Sequence, residues 1–231
     1  MKSYVVLPNI KRRIIPEKFR LNDNRFPEGL VEYFLKEFTK KGDKILDIFA
    51  GLGTTFFVAE ELGRIPFGIE IDKERYQYIL ENIKHKKNIV NGDTRKLLEY
   101  NLPRCNFCFS SPTFIHVNEQ ENPLSDFKTL GGYKQYLEDI RNIYSDLKEI
   151  MMPNSLIIID IANLKRNGDV TTLAWDVAKE VSKVIHFKGE IIIIWEYRES
   201  KTVDGQSESW RIEGAFGYGY DHSYCLVYQN K

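Results

Sequence analysis

Two glycines separated by one residue lie where an apolar run gives way to a helical pattern. Gly51 and Gly53 follow the short apolar run 44–46 and precede the helical residues 56–62, so they predict a tight turn between strand and helix. Glycine lets the backbone approach a ligand, and the first turn of a helix presents unpaired N–H groups. Glu70 ends a second apolar run about twenty residues further on, the spacing at which a carboxylate reaches ribose hydroxyls. These residues predict a site for a nucleotide-like molecule.

The residues around the glycines narrow the kind of nucleotide. No lysine follows them, which argues against the loop that binds triphosphates. The third glycine of the pyrophosphate fingerprint is also absent. A nucleoside without phosphates therefore fits this turn best.

At this turn the chain resembles the S-adenosylmethionine-dependent amino-methyltransferases of nucleic acids, which bind the methionine part of the cofactor with Asp-x-Phe-x-Gly-x-Gly-Thr-Thr. The resemblance implies that S-adenosylmethionine is the cofactor, that Glu70 holds its ribose, and that Asp93 lies near its adenine. The matching positions are Asp47, Phe49, Gly51, Gly53, Thr54 and Thr55.

A second motif, Ser111-Pro112-Thr113-Phe114, follows the apolar run 107–109. It resembles the catalytic Asp/Asn/Ser-Pro-Pro-Tyr/Phe/Trp of the same family, and Ser110 before it is assigned to the cofactor site. The lone pair of a base amine is delocalised into the ring. Two acceptors, the Ser111 side chain and the Pro112 carbonyl, would hold the amine for attack on the methyl group. Phe114 would stack on a base taken out of its helix or loop.

The motif departs from the family at Thr113, where a second proline is expected. Threonine frees φ and adds an N–H donor, so the loop is predicted to be less rigid. Serine at position 111 favours the N4 amine of cytosine over the N6 amine of adenine within the family. The resemblance therefore predicts a cytosine N4-methyltransferase, with adenine as the alternative.

The surrounding periodicities predict an α/β fold, a seven-stranded doubly wound class I methyltransferase sheet with a C-terminal antiparallel hairpin. Residues 1–25 are predicted to be a basic arm and residues 26–231 a single methyltransferase domain. The predicted strands are 45–49, 66–71, 88–91, 106–110, 155–161, 190–197 and 224–229. The predicted helices are 28–38, 55–62, 73–84, 94–100, 133–150 and 173–184.

Composition and charge limit the class of protein. The apolar share of 42% in 231 residues argues against disorder, and no apolar run is long enough to cross a bilayer. We therefore expect a cytoplasmic protein without a secretory signal or membrane contact, monomeric or homodimeric. Its Ile, Lys and Glu content suggests a thermophilic source. The 33 basic and 33 acidic residues balance, whereas binding to phosphate backbones usually needs a basic surface.

Metal and redox chemistry have weak support. Cys105 and Cys108 form the one Cys-x-x-Cys pair, and Cys225 lies far away. A structural zinc site needs four ligands, so all three cysteines are predicted to pack in the core and no metal is expected.

Three segments are candidates for target recognition: residues 11–20, rich in basic side chains, residues 115–132, and residues 198–220 with several aromatics. Each is otherwise a solvated arm, a surface loop or a hairpin extension. His116 contacts the base or is an ordinary loop histidine. Because no large insertion is available to read a DNA groove, structured RNA, such as ribosomal RNA, is predicted over DNA.

Two further hypotheses stay open. The balanced charge allows a small-molecule methyltransferase. The substitution at Thr113 allows a module that binds the cofactor without catalysis.

Overall fold

The computed structural model describes residues 2–21, 23–124, 132–166, 168–196 and 220–231. The strands among them are β1 (Tyr4–Pro8), β2 (Lys44–Asp47), β3 (Ile65–Glu70), β4 (Ile89–Asn91), β5 (Cys105–Ser110), β6 (Met151–Ile161), β7 (Leu164–Arg166), β8 (Asp169–Thr171), β9 (His186–Glu196) and β10 (His222–Gln229). The α-helices are α1 (Glu17–Arg20), α2 (Glu28–Phe38), α3 (Thr54–Glu61), α4 (Lys73–Asn82), α5 (Gly132–Leu147) and α6 (Leu173–Val181). Short 3₁₀ helices cover Lys86–Asn88, Thr94–Tyr100 and Lys148–Ile150.

The main sheet has eight strands in the order β1-β9-β10-β6-β5-β2-β3-β4. Only β10 runs antiparallel to its neighbours, β9 and β6, and the remaining pairs are parallel. β7 and β8 form a separate two-stranded ribbon. The predicted doubly wound sheet and its C-terminal antiparallel pair are therefore confirmed.

One strand of the sheet was not predicted. β1 adds an edge in parallel to β9, with Tyr4 opposite Ile192 and Pro8 opposite Glu196. The segment after β1 also lies on the domain, because Ile15 is buried and the Arg13 guanidinium is 3.8 Å from the centre of the Phe57 ring. Parts of the predicted basic arm, β1 and the stretch around Arg13 and Ile15, therefore contact the rest of the fold.

Helices cover both faces of the sheet. The apolar face of α2, which carries Leu30, Phe34 and Leu35, packs with α3 against one face. The helices α5 and α6 pack against the other face. Pro27 precedes the first turn of α2 with φ of −63°, the geometry that proline favours at a helix start. This layering gives the doubly wound arrangement its two cores.

The chain changes direction across the sheet at β2. From β2 it proceeds outward to β3 and β4, and it then returns to place β5 on the other side of β2. The carboxyl ends of β2 and β5 therefore border a crevice, which is where ligands bind in open α/β sheets. Gly68 of β3 permits close contact with β2, since a Cβ there would lie 2.0 Å from the carbonyl oxygen of Asp47.

The three cysteines are free thiols and fully buried, as predicted. Burial raises the pKa of each thiol. Among the residues described, no helix is both long enough and apolar enough to span a bilayer.

Candidate active site

The glycine turn joins the end of β2 to the start of α3. Gly51 and Gly53 have φ of +57° and +82°, in the left-handed region that favours glycine. A Cβ on Gly53 would lie 2.8 Å from the side chain of Ile79, so this glycine is held against α4. A Cβ on Gly51 would meet no atom nearer than 3.9 Å, because this side of the turn faces a cavity.

Glu70 ends β3 and anchors the same turn. Its Oε2 accepts the N–H of Gly51 at 2.6 Å, and its Oε1 accepts the N–H of Asp72 at 2.8 Å. Burial raises the pKa of Glu70 to about 7, although these two hydrogen bonds act in the opposite direction. Each carboxylate oxygen has a second lone pair, so the group can still accept a ribose hydroxyl.

Asp93 follows β4 at the far side of the cavity. Its carboxylate accepts the backbone N–H of Arg95 at 2.9 Å and the Nη2 of the same residue at 2.6 Å. The N–H of Gly92 donates to the Glu70 carbonyl oxygen at 3.1 Å. Asp93 and Glu70 are therefore held together at the ends of adjacent strands.

A hydrogen bond between the buried side chains of Asp47 and Ser110 links the two predicted motifs. The Ser110 hydroxyl donates to Asp47 Oδ1 at 2.7 Å, and the N–H of Phe49 lies 3.1 Å from both side-chain oxygens. Burial raises the pKa of Asp47 to about 6. Both side chains are buried, so they support the turn from below.

The second motif begins where β5 ends. Ser110 pairs with Ile159 of β6, so Ser111 starts the loop beside the end of that strand. Pro112 is buried, whereas Thr113 is exposed. The residue that departs from the family pattern therefore points out of the protein core.

A single cavity of about 340 Å³ connects the two motifs. The predicted site residues that line it are Phe49, Gly51, Thr54, Glu70, Asp93, Ser111, Pro112, Thr113 and Phe114. The other predicted cofactor residues, Asp47, Gly53, Thr55 and Ser110, do not line the cavity: the first, third and fourth are buried beside the turn, and Gly53 packs against Ile79.

Several cavity residues were missed by the sequence reading. Arg25 and Phe26 precede α2, and Asp160 ends the apolar strand β6. An acidic residue at the end of a buried strand is the signal that identified Glu70, and it could have identified Asp160. Others come from the last two strands of the main sheet: Trp195, His222 and Ser223.

His116 does not line this cavity. Its side chain is buried, and its Nδ1 is 2.9 Å from the Thr171 hydroxyl of β8. The structure thus favours the simpler of the two predictions for this histidine.

The two long candidate recognition segments are described only in part. Residues 125–131 and 197–219, including Trp210, Phe216 and Tyr218, lie outside the described residues. Tyr220 is described and lines the cavity.

The site can be compared with known proteins. A family model described as DNA methylase matches residues 9–81, which include the glycine turn and Glu70. The type II methyltransferase M.BglII of Bacillus subtilis is 38% identical over 82 residues, or 34% of this chain and 23% of the relative. The segment with the glycine turn and Glu70 is thus similar to DNA methylases and to a type II methyltransferase.

A second type II methyltransferase extends the match. The type II methyltransferase M.HpaI of Haemophilus parainfluenzae is 29% identical over 129 residues, covering 50% of this chain and 40% of the relative. The chain therefore spans less than half the length of either relative.

Solved structures, among them S-adenosylmethionine-dependent methyltransferases, share the fold. TrmN from Thermus thermophilus has a TM-score of 0.60 at 12% identity, covering 92% of this chain and 51% of TrmN. An S-adenosylmethionine-dependent methyltransferase from Aquifex aeolicus has a TM-score of 0.54 at 17% identity, covering 95% of this chain and all of that protein (100%). These likenesses confirm the class I methyltransferase fold.

The similarity to DNA methylases and to S-adenosylmethionine-dependent methyltransferases implies S-adenosylmethionine as the cofactor, and the cavity fits this molecule. Gly51 leaves open space where a side chain would stand, and the Glu70 carboxylate beside it suits ribose hydroxyls. Asp93 lies at the end of the next strand, where the resemblance expects the adenine. When bound, the cofactor supplies an electrophilic methyl group on its sulfonium.

Proposed function

We propose that the protein is an N-methyltransferase that transfers a methyl group from S-adenosylmethionine to the exocyclic amine of a nucleic-acid base. One observation carries the proposal: the glycine turn and the Ser111–Phe114 motif open into the same cavity. A methyl donor held by the first motif would therefore lie within reach of a base held by the second.

The residues of the second motif would act on the amine. The Ser111 hydroxyl oxygen and the Pro112 carbonyl oxygen accept its two N–H bonds and turn its lone pair toward the methyl group. The Phe114 ring stacks on the face of the base and holds its plane. The exposed position of Thr113 supports catalysis, since a substitution there leaves the buried part of the motif in place.

The N4 amine of cytosine is our proposed target, because serine opens the motif at position 111. Structured RNA is the polymer predicted from the sequence. DNA is the second candidate, and it is favoured by a specific observation: the matching family is described as DNA methylase, and the relatives are type II methyltransferases. Methyl transfer to RNA and to DNA must therefore be measured separately.

The test is methyl transfer from labelled cofactor to total RNA and to DNA. We expect label in nucleic acid, and mass spectrometry of the nucleosides to find N4-methylcytosine. Ser111→Ala and Phe114→Ala should each lower the rate at least about 100-fold, as expected when a fixed acceptor or orienting group is lost. Cofactor affinity, measured by calorimetry, should change less than about threefold, because neither residue belongs to the glycine turn.

Ser145→Ala is the matched control, because this serine is exposed on α5. It should keep the wild-type rate. Label in a small molecule alone would replace the proposal with a small-molecule methyltransferase. Tight cofactor binding without label in any acceptor would leave a binding module, and N6-methyladenine would correct the base.

A further inference from the structure

A buried carboxyl group stands at the base end of the cavity. Asp160 is 6% exposed, and it lies next to Ile159, the residue that pairs with Ser110. On its other side, Asp160 pairs with Cys225 of β10. Asp160 and Ser111 thus follow the same paired position on adjacent strands, and both line the cavity.

The hydrogen bonds of Asp160 are one-sided. Its Oδ1 accepts the Ser223 hydroxyl at 2.9 Å and faces the Cys225 thiol at 3.9 Å. Burial outweighs both and raises the pKa of Asp160 to about 7. With donors already directed at Oδ1, a proton on this carboxyl group belongs on Oδ2.

Charged and titratable groups from the surrounding elements also line this cavity. Arg25 comes from the segment before α2, His222 from β10, and Glu70 and Asp93 from the cofactor end. The Arg25 guanidinium is bound to the Asp23 carboxylate, with Nε and Nη2 at 2.8 and 2.9 Å from its oxygens. Asp23, which Lys11 Nζ also contacts at 3.3 Å, therefore engages the Arg25 guanidinium, and the donors that reach Asp160 are neutral, which suits its neutral form.

The bases that carry a target amine share one more feature. Cytosine N3 and adenine N1 are hydrogen-bond acceptors directly beside the amine. In uracil and thymine the equivalent ring nitrogen carries a hydrogen. A neutral carboxyl group can donate to the first kind and meets an opposing donor in the second.

We propose that Asp160 is a specificity-determining residue that, as a neutral carboxylic acid, donates Oδ2–H to the ring nitrogen beside the target amine. The inference rests on the proposed function and deepens it. The hydrogen bond selects bases with an acceptor at this ring position. Donation also draws electron density from the amine, so its benefit lies in base binding and not in the chemical step. The main effect is therefore on KM.

The first experiment compares Asp160→Ala with Asp160→Asn on an oligonucleotide that the wild type methylates. The alanine variant should raise KM about tenfold with kcat changed less than about threefold, as for loss of a base-edge hydrogen bond. Asparagine keeps an N–H donor, so its KM should stay within about threefold of wild type. Equal losses in both variants would overturn the proposal.

Replacing one atom of the base, in combination with Asp160→Ala, gives a double-mutant cycle. Replacing target cytosine by 3-deazacytosine, or adenine by 1-deazaadenine, removes the ring acceptor and keeps the amine. The change should raise the wild-type KM about tenfold and leave that of Asp160→Ala almost unchanged. Additive losses would contradict a contact between Oδ2 and this nitrogen.

The pH profile separates a donor from a base. The wild-type KM should rise as the pH passes about 7, because the ionised carboxylate cannot donate, while that of Asp160→Asn stays flat. A wild-type KM that falls over the same range would instead make Asp160 an ionised acceptor, against the proposal.

A measurement on the protein alone keeps the two proposals distinguishable. If the wild type methylates no nucleic acid, the proposed function fails. The ¹³C resonance of the Asp160 carboxyl group, assigned by its loss in Asp160→Asn, then decides the state of this residue. A titration near pH 7 with a shift on addition of cytidine, but not 3-deazacytidine, supports the donor. A titration below pH 5, or no response to cytidine, overturns it.

Discussion

The two ends of the cavity hold buried carboxyl groups in different ways. At the cofactor end, Glu70 receives backbone N–H groups from Gly51 and Asp72. At the base end, Asp160 receives a hydroxyl and a thiol from β10. Backbone donors cannot rotate away and favour the ionised acceptor, whereas side-chain donors adapt to either protonation state. Burial raises the pKa of both groups to about 7, but both oxygens of Glu70 face fixed N–H donors, whereas the donors to Asp160 face Oδ1 and leave Oδ2 to carry a proton.

The two ends also differ in how the chain assembles them. The cofactor end comes from one stretch that runs from β2 to Asp93. The base end brings together β5, β6 and β10, and the Ser223–Asp160 hydrogen bond joins residues 63 positions apart. Local turn chemistry is enough to form the first. The second depends on the register of the whole sheet.

The largest effect is expected from disturbing the close contact between β2 and β3, which carry the cofactor end of the cavity. In Gly68→Ala, the new Cβ would lie 2.0 Å from the Asp47 carbonyl oxygen and 2.9 Å from the Phe56 ring. Neither backbone can retreat without loss of sheet hydrogen bonds. We expect the free energy of unfolding to fall by at least about 4 kcal/mol, measured by urea denaturation.

Gly29→Ala is the matched control for Gly68→Ala. A Cβ at Gly29, in the first turn of α2, would meet no atom within 4 Å. Alanine should therefore stabilise the protein by up to about 1 kcal/mol through helix propensity. Equal effects of the two substitutions would show that β2 and β3 are not in this contact.

Asp47, whose hydrogen bond with Ser110 joins the two motifs, should make the free energy of unfolding depend on pH. The pKa of Asp47, about 6, lies above its ordinary value of 3.8, so the folded state binds the proton more tightly. The free energy of unfolding should therefore fall as the pH rises from about 4 to 6. Asp47→Asn should reduce this fall by about 3 kcal/mol, measured by urea denaturation at pH 4 and pH 7.

Glu149→Gln tests whether any lost carboxylate has the same effect as Asp47→Asn. Glu149 is exposed, so this variant should follow the wild-type pH dependence. An Asp47→Asn profile that also followed the wild type would mean that the Asp47–Ser110 link does not bury a carboxyl group.

Most of the fold follows from local patterns in the sequence. The prediction for α2 matched its bounds, and that for α3 was one residue late at each end, because apolar spacing and turn residues define both. The edge strand β1 was missed, since its five residues pair with β9 nearly two hundred positions away. β6 starts at Met151, earlier than the predicted residue 155, and its pairing with β5 shifts register between Cys105–Met151 and Phe107–Leu156.

For the site as well, the residues set by local sequence were predicted, and those set by distant strand pairing were missed. The glycine turn carries its own geometry, and Gly51 lines the cavity as expected. Gly53 was assigned to the ligand, and its left-handed backbone and its contact with Ile79 give it a role in shaping the turn. Asp160 belongs to an apolar run, and only the return of β10 beside it makes it part of a site. Residues that meet only through pairing of distant strands show no characteristic spacing in the sequence, so a sequence pattern cannot predict them.

The smallest of the expected effects tests the acceptor end directly. In Glu70→Gln, the amide N–H₂ replaces one oxygen and opposes the N–H of Gly51 or Asp72, because both are donors. An acceptor for the ribose hydroxyls is lost as well. We expect the Kd for S-adenosylmethionine, measured by calorimetry, to rise about tenfold.

Exposed Glu99 provides the control for Glu70→Gln, and Glu99→Gln should leave the Kd unchanged. The contrast with Asp160→Asn is sharper still. The same change from carboxyl to amide should weaken the cofactor at one end of the cavity and be tolerated by the base at the other. This asymmetry follows only if fixed backbone donors make Glu70 an acceptor and adaptable side-chain donors let Asp160 donate. If Glu70→Gln and Asp160→Asn weakened binding of their ligands equally, the two carboxyl groups would both act as hydrogen-bond acceptors.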